Sequence, residues 1–98
     1  MPPIVAVFQA SGLTEQQYEA SVRGVTGGKN RVESPADWPV EGLLVHIAGQ
    51  GKDGFRVIDV WDSEESFQRF GEVIVPILEE LGIDIQPEVY PAKAFVAA

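Results

Sequence analysis

The chain has 98 residues, 45% of them hydrophobic and 22% charged, which is room for one domain (residues 1–98) with one small core. Against 7 Lys and Arg stand 15 Asp and Glu, a formal charge of -8 spread along the chain, which repels a phosphate backbone and excludes nucleic acid as an expected partner. The absence of cysteine excludes a disulfide framework, an iron–sulfur site and a thiol nucleophile, and fits a reducing compartment, so a cytoplasmic location is expected.

Ile4-Val5-Ala6-Val7-Phe8 is an apolar run of strand length, far short of the roughly 20 residues that span a bilayer, and no basic stretch precedes it. It is expected to form a central strand, with no membrane insertion or export. A helix follows. Thr14 is placed to cap it, Gln17 stands at its third position, Leu13 can staple onto Tyr18, and Tyr18, Val22 and Val25 form one buried stripe. Gly24 weakens its interior and Gly27-Gly28 ends it. From Lys29 to Glu41 the chain is polar and carries Pro35 and Pro39, so a long surface connection is expected, with Trp38 folded back as an apolar anchor.

Leu43–Ala48 and Phe55–Trp61 are strand-like runs around a glycine-rich turn, Gly49 to Gly54, and should pair as a hairpin. A two-residue turn at Gly51-Lys52 would set Ala48 opposite Phe55, His46 opposite Val57, Leu44 opposite Asp59 and Gly42 opposite Trp61. That register puts Leu43, Val45, Ile47, Ile58 and Val60 on one apolar face, expected under the helices. Leu44, His46, Ala48, Phe55, Val57, Asp59 and Trp61 fall on the other, mixed face.

A second helix should start at Asp62 or Ser63, with Glu64 and Glu65 at its positive end and Phe67, Phe70, Ile74, Ile77, Leu78 and Leu81 buried. Pro76 predicts a kink or break near Val75, and Gly82 a stop. Val89 to Val96 reads as a fourth strand, kept to a sheet edge by Pro87 and Pro91. The order β-α-β-β-α-β is the split βαβ arrangement of an α+β, ferredoxin-like sandwich, in which both helices cover one face of a four-stranded antiparallel sheet. The other face would be left in water with apolar residues on it, so a homodimer or an enclosed cavity is expected there.

The stretch Gly42 to Gly49, followed by Gly54-Phe55-Arg56-Val57-Ile58-Asp59-Val60-Trp61-Asp62-Ser63 and on to Phe67, resembles the dimeric α+β barrel superfamily in its antibiotic biosynthesis monooxygenase-like branch. The resemblance implies two sheets joined into a barrel and a cavity for an aromatic or otherwise apolar small molecule. It also implies a reaction in some members, the oxidation of polyketide anthrones without a bound cofactor. The haem-degrading branch pairs an Asn near the end of strand one with a Trp after strand three and a His on the second helix. Here Trp61 matches and Gln9 stands near the Asn position, but residues 64–81 hold no His, so haem is not expected.

His46 is the sole histidine, and an imidazole, with its usual pKa near about 6.5, suits proton transfer. Asp59 interrupts an otherwise apolar strand and needs a partner, whether Arg56, His46, an arginine of another subunit, or water. These two are the candidate catalytic pair; the plainer alternative is a histidine and a carboxylate satisfied by each other or by packing. Trp61 offers a stacking wall with an indole donor, and Phe55, Leu44, Val57 and Tyr90 would complete an apolar ligand site. Tyr18 and Trp38 could close it. No phosphate loop or HExxH motif is present, and one His without Cys would leave a transition metal to several carboxylates, so no cofactor or metal is expected. The reading is a small-molecule-binding domain, a cofactor-independent monooxygenase if it turns over; the alternative is a non-enzymatic assembly module whose interior is filled by its own side chains.

Overall fold

In the computed structural model, which describes residues 2–10 and 12–97, the elements follow in the order β1 (Ile4–Gln9), α1 (Glu15–Thr26), β2 (Leu43–Gln50), β3 (Phe55–Trp61), α2 (Glu64–Glu80) and β4 (Glu88–Pro91). A single 3-10 turn, Pro35–Asp37, interrupts the connection from α1 to β2. The strands form one antiparallel sheet ordered β2-β3-β1-β4, the ferredoxin-like pattern expected from the element order. The expected barrel is not formed. Closure requires the first and last strands to bond each other, whereas β2 and β4 are the two opposite edges of an open sheet.

Local chemistry sets the helix ends. Thr14 and Gln17 make a reciprocal capping box on α1, with Thr14 N donating to Gln17 Oε1 at 3.0 Å and Gln17 N to Thr14 Oγ1 at 3.1 Å. Gly27 closes α1 in the left-handed region, φ 77°. Ser63 caps α2 by accepting from Ser66 N at 3.1 Å. The helix then runs without a break through Pro76. Pro76 lies on the solvent side together with Glu72, so the carbonyl it leaves unbonded, four residues back, reaches water. The fourth strand is shorter than expected and begins earlier, because pairing to β1 covers only Glu88 to Pro91, with Pro91 opposite Ile4.

The β2–β3 hairpin departs from the expected register by two residues. Gln50 pairs with Phe55 across a four-residue turn closed by Gly51 N donating to the Gly54 carbonyl at 2.8 Å, which brings His46 opposite Asp59 and Ala48 opposite Val57. An even shift preserves which residues share a face, so His46, Ala48, Phe55, Val57, Asp59 and Trp61 do lie together. The parity breaks only at Leu44, a bulge residue between Leu43, paired with Trp61, and Val45, paired with Val60.

The helices cover the opposite face from the one anticipated. The core holds Ile4, Ala6 and Phe8 of β1 and Phe55, Val57 and Trp61 of β3, packed with Val25 of α1 and Phe70 of α2. The uncovered face carries Val5, Val7, Val45, Ile47, Ile58 and Val60; of these Ile47 and Ile58 are exposed at 56% and 36%. The expectation left Asp59 a choice of Arg56, His46, an arginine of another subunit or water. The pairing with His46 is the one formed, and it removes the penalty for placing that face under the helices.

Candidate functional site

Antiparallel pairing sets His46 directly across from Asp59, and the fourth helical residue of α1 brings Tyr18 above them. Asp59 Oδ1 is 2.6 Å from His46 Nδ1, and the Tyr18 hydroxyl is 2.6 Å from His46 Nε2. The three side chains therefore form one hydrogen-bonded chain through both nitrogens of the imidazole. The Asp59 side chain is 1% exposed and that of His46 10%.

Burial pushes the Asp59 carboxyl above its ordinary value of 3.8, while the hydrogen bond and charge of His46 pull the other way. Burial, and then the negative charge of Asp59, raise the Tyr18 hydroxyl to about 12. Tyr18 is thus a neutral donor at any ordinary pH. When Asp59 is ionised it accepts from Nδ1–H, and Nε2 carries the lone pair to which Tyr18 donates. Adding one proton makes the pair electrically neutral overall, the state that burial favours. The chain of three is a polar element that can take up or release a proton inside an apolar layer.

Around it runs a file of aromatic rings. Phe55 stacks on Tyr18 at 4.9 Å, Tyr18 on His46 at 5.9 Å, and Trp38 meets His46 at 4.8 Å. Trp38 stacks on Phe70 at 5.6 Å, and Phe70 lies 5.0 Å from Trp61. Against this file lies a cavity of about 60 Å³ between sheet and helices, lined by Tyr18, Trp38, His46, Asp59, Phe70 and Ile74 among others. Its lining contains no lysine or arginine.

His46, Asp59 and Val57 line this cavity, with Phe55 behind Tyr18. Trp61 is fully buried beneath Phe70 and outside the lining. Leu44, on its bulge, is 43% exposed, and Tyr90 is 44% exposed on the edge strand β4, opposite Val5. Arg56 is exposed on the uncovered face, so of the partners considered for Asp59 the histidine is the one that meets it. Two residues carry more of the site than the sequence suggested. Tyr18 is more than a staple, and the only signal for this was a hydroxyl on an otherwise apolar helix stripe. Trp38 is a wall of the cavity; its single large ring in a polar connection was the signal.

Among the described residues no three His, Asp or Glu side chains converge as metal ligands, and no helix is long and apolar enough to cross a membrane. The architecture is a ferredoxin-like fold, and the aromatic cluster is of a kind that suits a small apolar ligand. The chain matches no protein-family model and no curated protein sequence.

Proposed function

We propose that this domain binds a small, apolar, aromatic molecule between its sheet and helices, with Tyr18, His46 and Asp59 as the polar pole that orients it. The observation that carries this reading is the hydrogen-bonded chain itself, set against an apolar cavity walled by Trp38 and Phe70. Trp61 backs that wall through Phe70.

The finer reading is a cofactor-independent oxygenation. In it, the Tyr18 hydroxyl passes its proton to His46 Nε2 and takes one from an activated methylene of the substrate, and the resulting carbanion supplies electrons to dioxygen. The balance is one CH2 group and one O2 giving one carbonyl and one water, so the substrate is both reductant and product skeleton. Asp59 stabilises the imidazolium formed, as a carboxylate does when hydrogen-bonded to Nδ1. The protein would work as a homodimer formed on the uncovered sheet face.

The cavity volume favours a second reading. About 60 Å³ is room for a few waters, well below the several hundred that hold a drug-sized ligand. On that reading the three polar residues are a satisfied network in a filled interior.

Titration with a panel of aromatic and polyketide-like compounds, followed by tryptophan fluorescence and thermal stability, tests both, with oxygen uptake measured in parallel. Saturable binding with oxygen uptake that is lost in folded His46→Ala is the expected result. Saturable binding without uptake leaves a carrier or sensor. No binding across the panel leaves the assembly reading.

A further inference from the structure

Trp38 reaches the cavity from a segment with few polar ties to the rest of the fold. In the turn that presents it, Asp37 Oδ2 accepts from Glu33 N at 2.9 Å and from Ser34 N at 3.2 Å, and Trp38 N donates to the Pro35 carbonyl at 3.1 Å. Asp37 also pairs with Lys29 at 2.7 Å. These bonds close within residues 29–38, so the turn keeps its internal polar contacts wherever it sits. What holds it down is mainly apolar: the indole, 8% exposed and packed on His46 and Phe70, with the smaller side chains of Val32 and Val40 half-buried against the core on either side of it and one bond from Arg23 to Asn30 at its start. The seat is imperfect: the buried Trp38 Nε1–H has no hydrogen-bond partner, a desolvation cost on the seated form.

From this we infer that the Trp38 indole occupies the ligand's own place as a plug, and that an uncharged, planar aromatic molecule of one or two fused rings binds by displacing it. This rests on the binding reading above and names its ligand class. The seat is shaped by a bicyclic ring, it lies between the imidazole of His46 and the ring of Phe70, and it adjoins the 60 Å³ cavity. A ligand that takes the place of the indole gains the volume of both. With the buried Asp59 nearby and no cation in the lining, an anionic ligand is disfavoured. A neutral ring bearing one hydroxyl or N–H can donate to the Tyr18 hydroxyl oxygen, which lines the cavity and keeps a lone pair while its proton is on His46 Nε2.

The plug lowers apparent affinity by the fraction of molecules in which it is open. Indole and 2-naphthol are the probes, titrated calorimetrically into wild type and Trp38→Ala. The variant is expected to bind at least about tenfold more tightly and to recover lost thermal stability when indole is added. In the wild type labelled with 5-fluorotryptophan, with Trp38→Phe used for assignment, the Trp38 fluorine resonance should move to a water-exposed position on saturation, while that of Trp61 stays. This second measurement needs no destabilised protein. Wild type that binds the probes with the Trp38 resonance unmoved overturns the plug and leaves the binding reading intact, as does a folded Trp38→Ala that binds no more tightly. Failure of both proteins to bind either probe overturns plug and binding reading together.

Discussion

At the scale of single residues, the chain through His46 makes stability depend on pH in a defined direction. Burial holds the Asp59 carboxyl above 3.8, so in that window the folded chain keeps a proton that the unfolded chain has released. The stabilisation is complete below the ordinary value and is lost as pH rises through the raised one. Urea midpoints measured from about pH 4 to about pH 7 should fall more steeply in wild type than in Asp59→Asn, which lacks the titrating group. The comparison cancels the growing repulsion among the other acidic residues. Tyr18→Phe removes the donor to Nε2 at a site that is mostly buried, and should cost about 1 to 2 kcal/mol in urea unfolding. Alkaline spectrophotometric titration of wild type should show a tyrosine ionising at about 12 that is missing from this variant.

Among the elements, the two helices meet where α1 has no side chain. A Cβ built on Gly24 would lie 2.7 Å from Ile77 Cγ2, a methyl on a branched carbon with little freedom to move away. Helix propensity alone favours Ala over Gly by up to about 1 kcal/mol. The clash outweighs it, and Gly24→Ala should lower stability by about 1 to 2 kcal/mol, read from the denaturation midpoint. Read as a sequence, Gly24 was only a weak point in a helix, because its reason lies in an element more than fifty positions away. The capping box at Thr14 and the stop at Gly27 were legible because their causes are a few residues apart. So was the sharing of a face by His46 and Asp59, which strand alternation fixes up to an even shift. Their contact stood in the sequence as one of several partners open to Asp59, and the choice of that face for the helices did not show: both depend on polar groups cancelling across strands, and an alternation pattern gives each residue a side without fixing its partner.

For the molecule as a whole, the uncovered sheet face is the dominant feature. Exposed Ile47 and Ile58, half-buried Val5, Val7 and Val45 and buried Val60 make it largely apolar on a chain of charge -8, with Arg56 as an exposed charge on it. A second copy offers an identical apolar surface, and a two-fold axis lets each cover the other. Sedimentation equilibrium at micromolar concentration should give about twice 10.7 kDa for wild type and 10.7 kDa for Ile47→Lys/Ile58→Lys. Because neither side chain belongs to the core, each single change should alter monomer stability by only about 0.5 kcal/mol. A wild-type mass of 10.7 kDa under these conditions rules the homodimer out.

The bulge at Leu44 bears on how this sequence could drift in length. Leu43 points to the helices and Val45 away from them although two positions separate them, since the extra residue absorbs the alternation. Losing Leu44 from the gene would join an inward residue directly to an outward one, which is the order an ordinary strand has. A deletion there should leave His46 opposite Asp59 and the protein folded, as judged by an intact cross-strand amide pattern. Losing Ile47 instead would reverse every residue on one side of the gap. Strand β2 therefore carries one position where a codon can disappear without turning the sheet inside out.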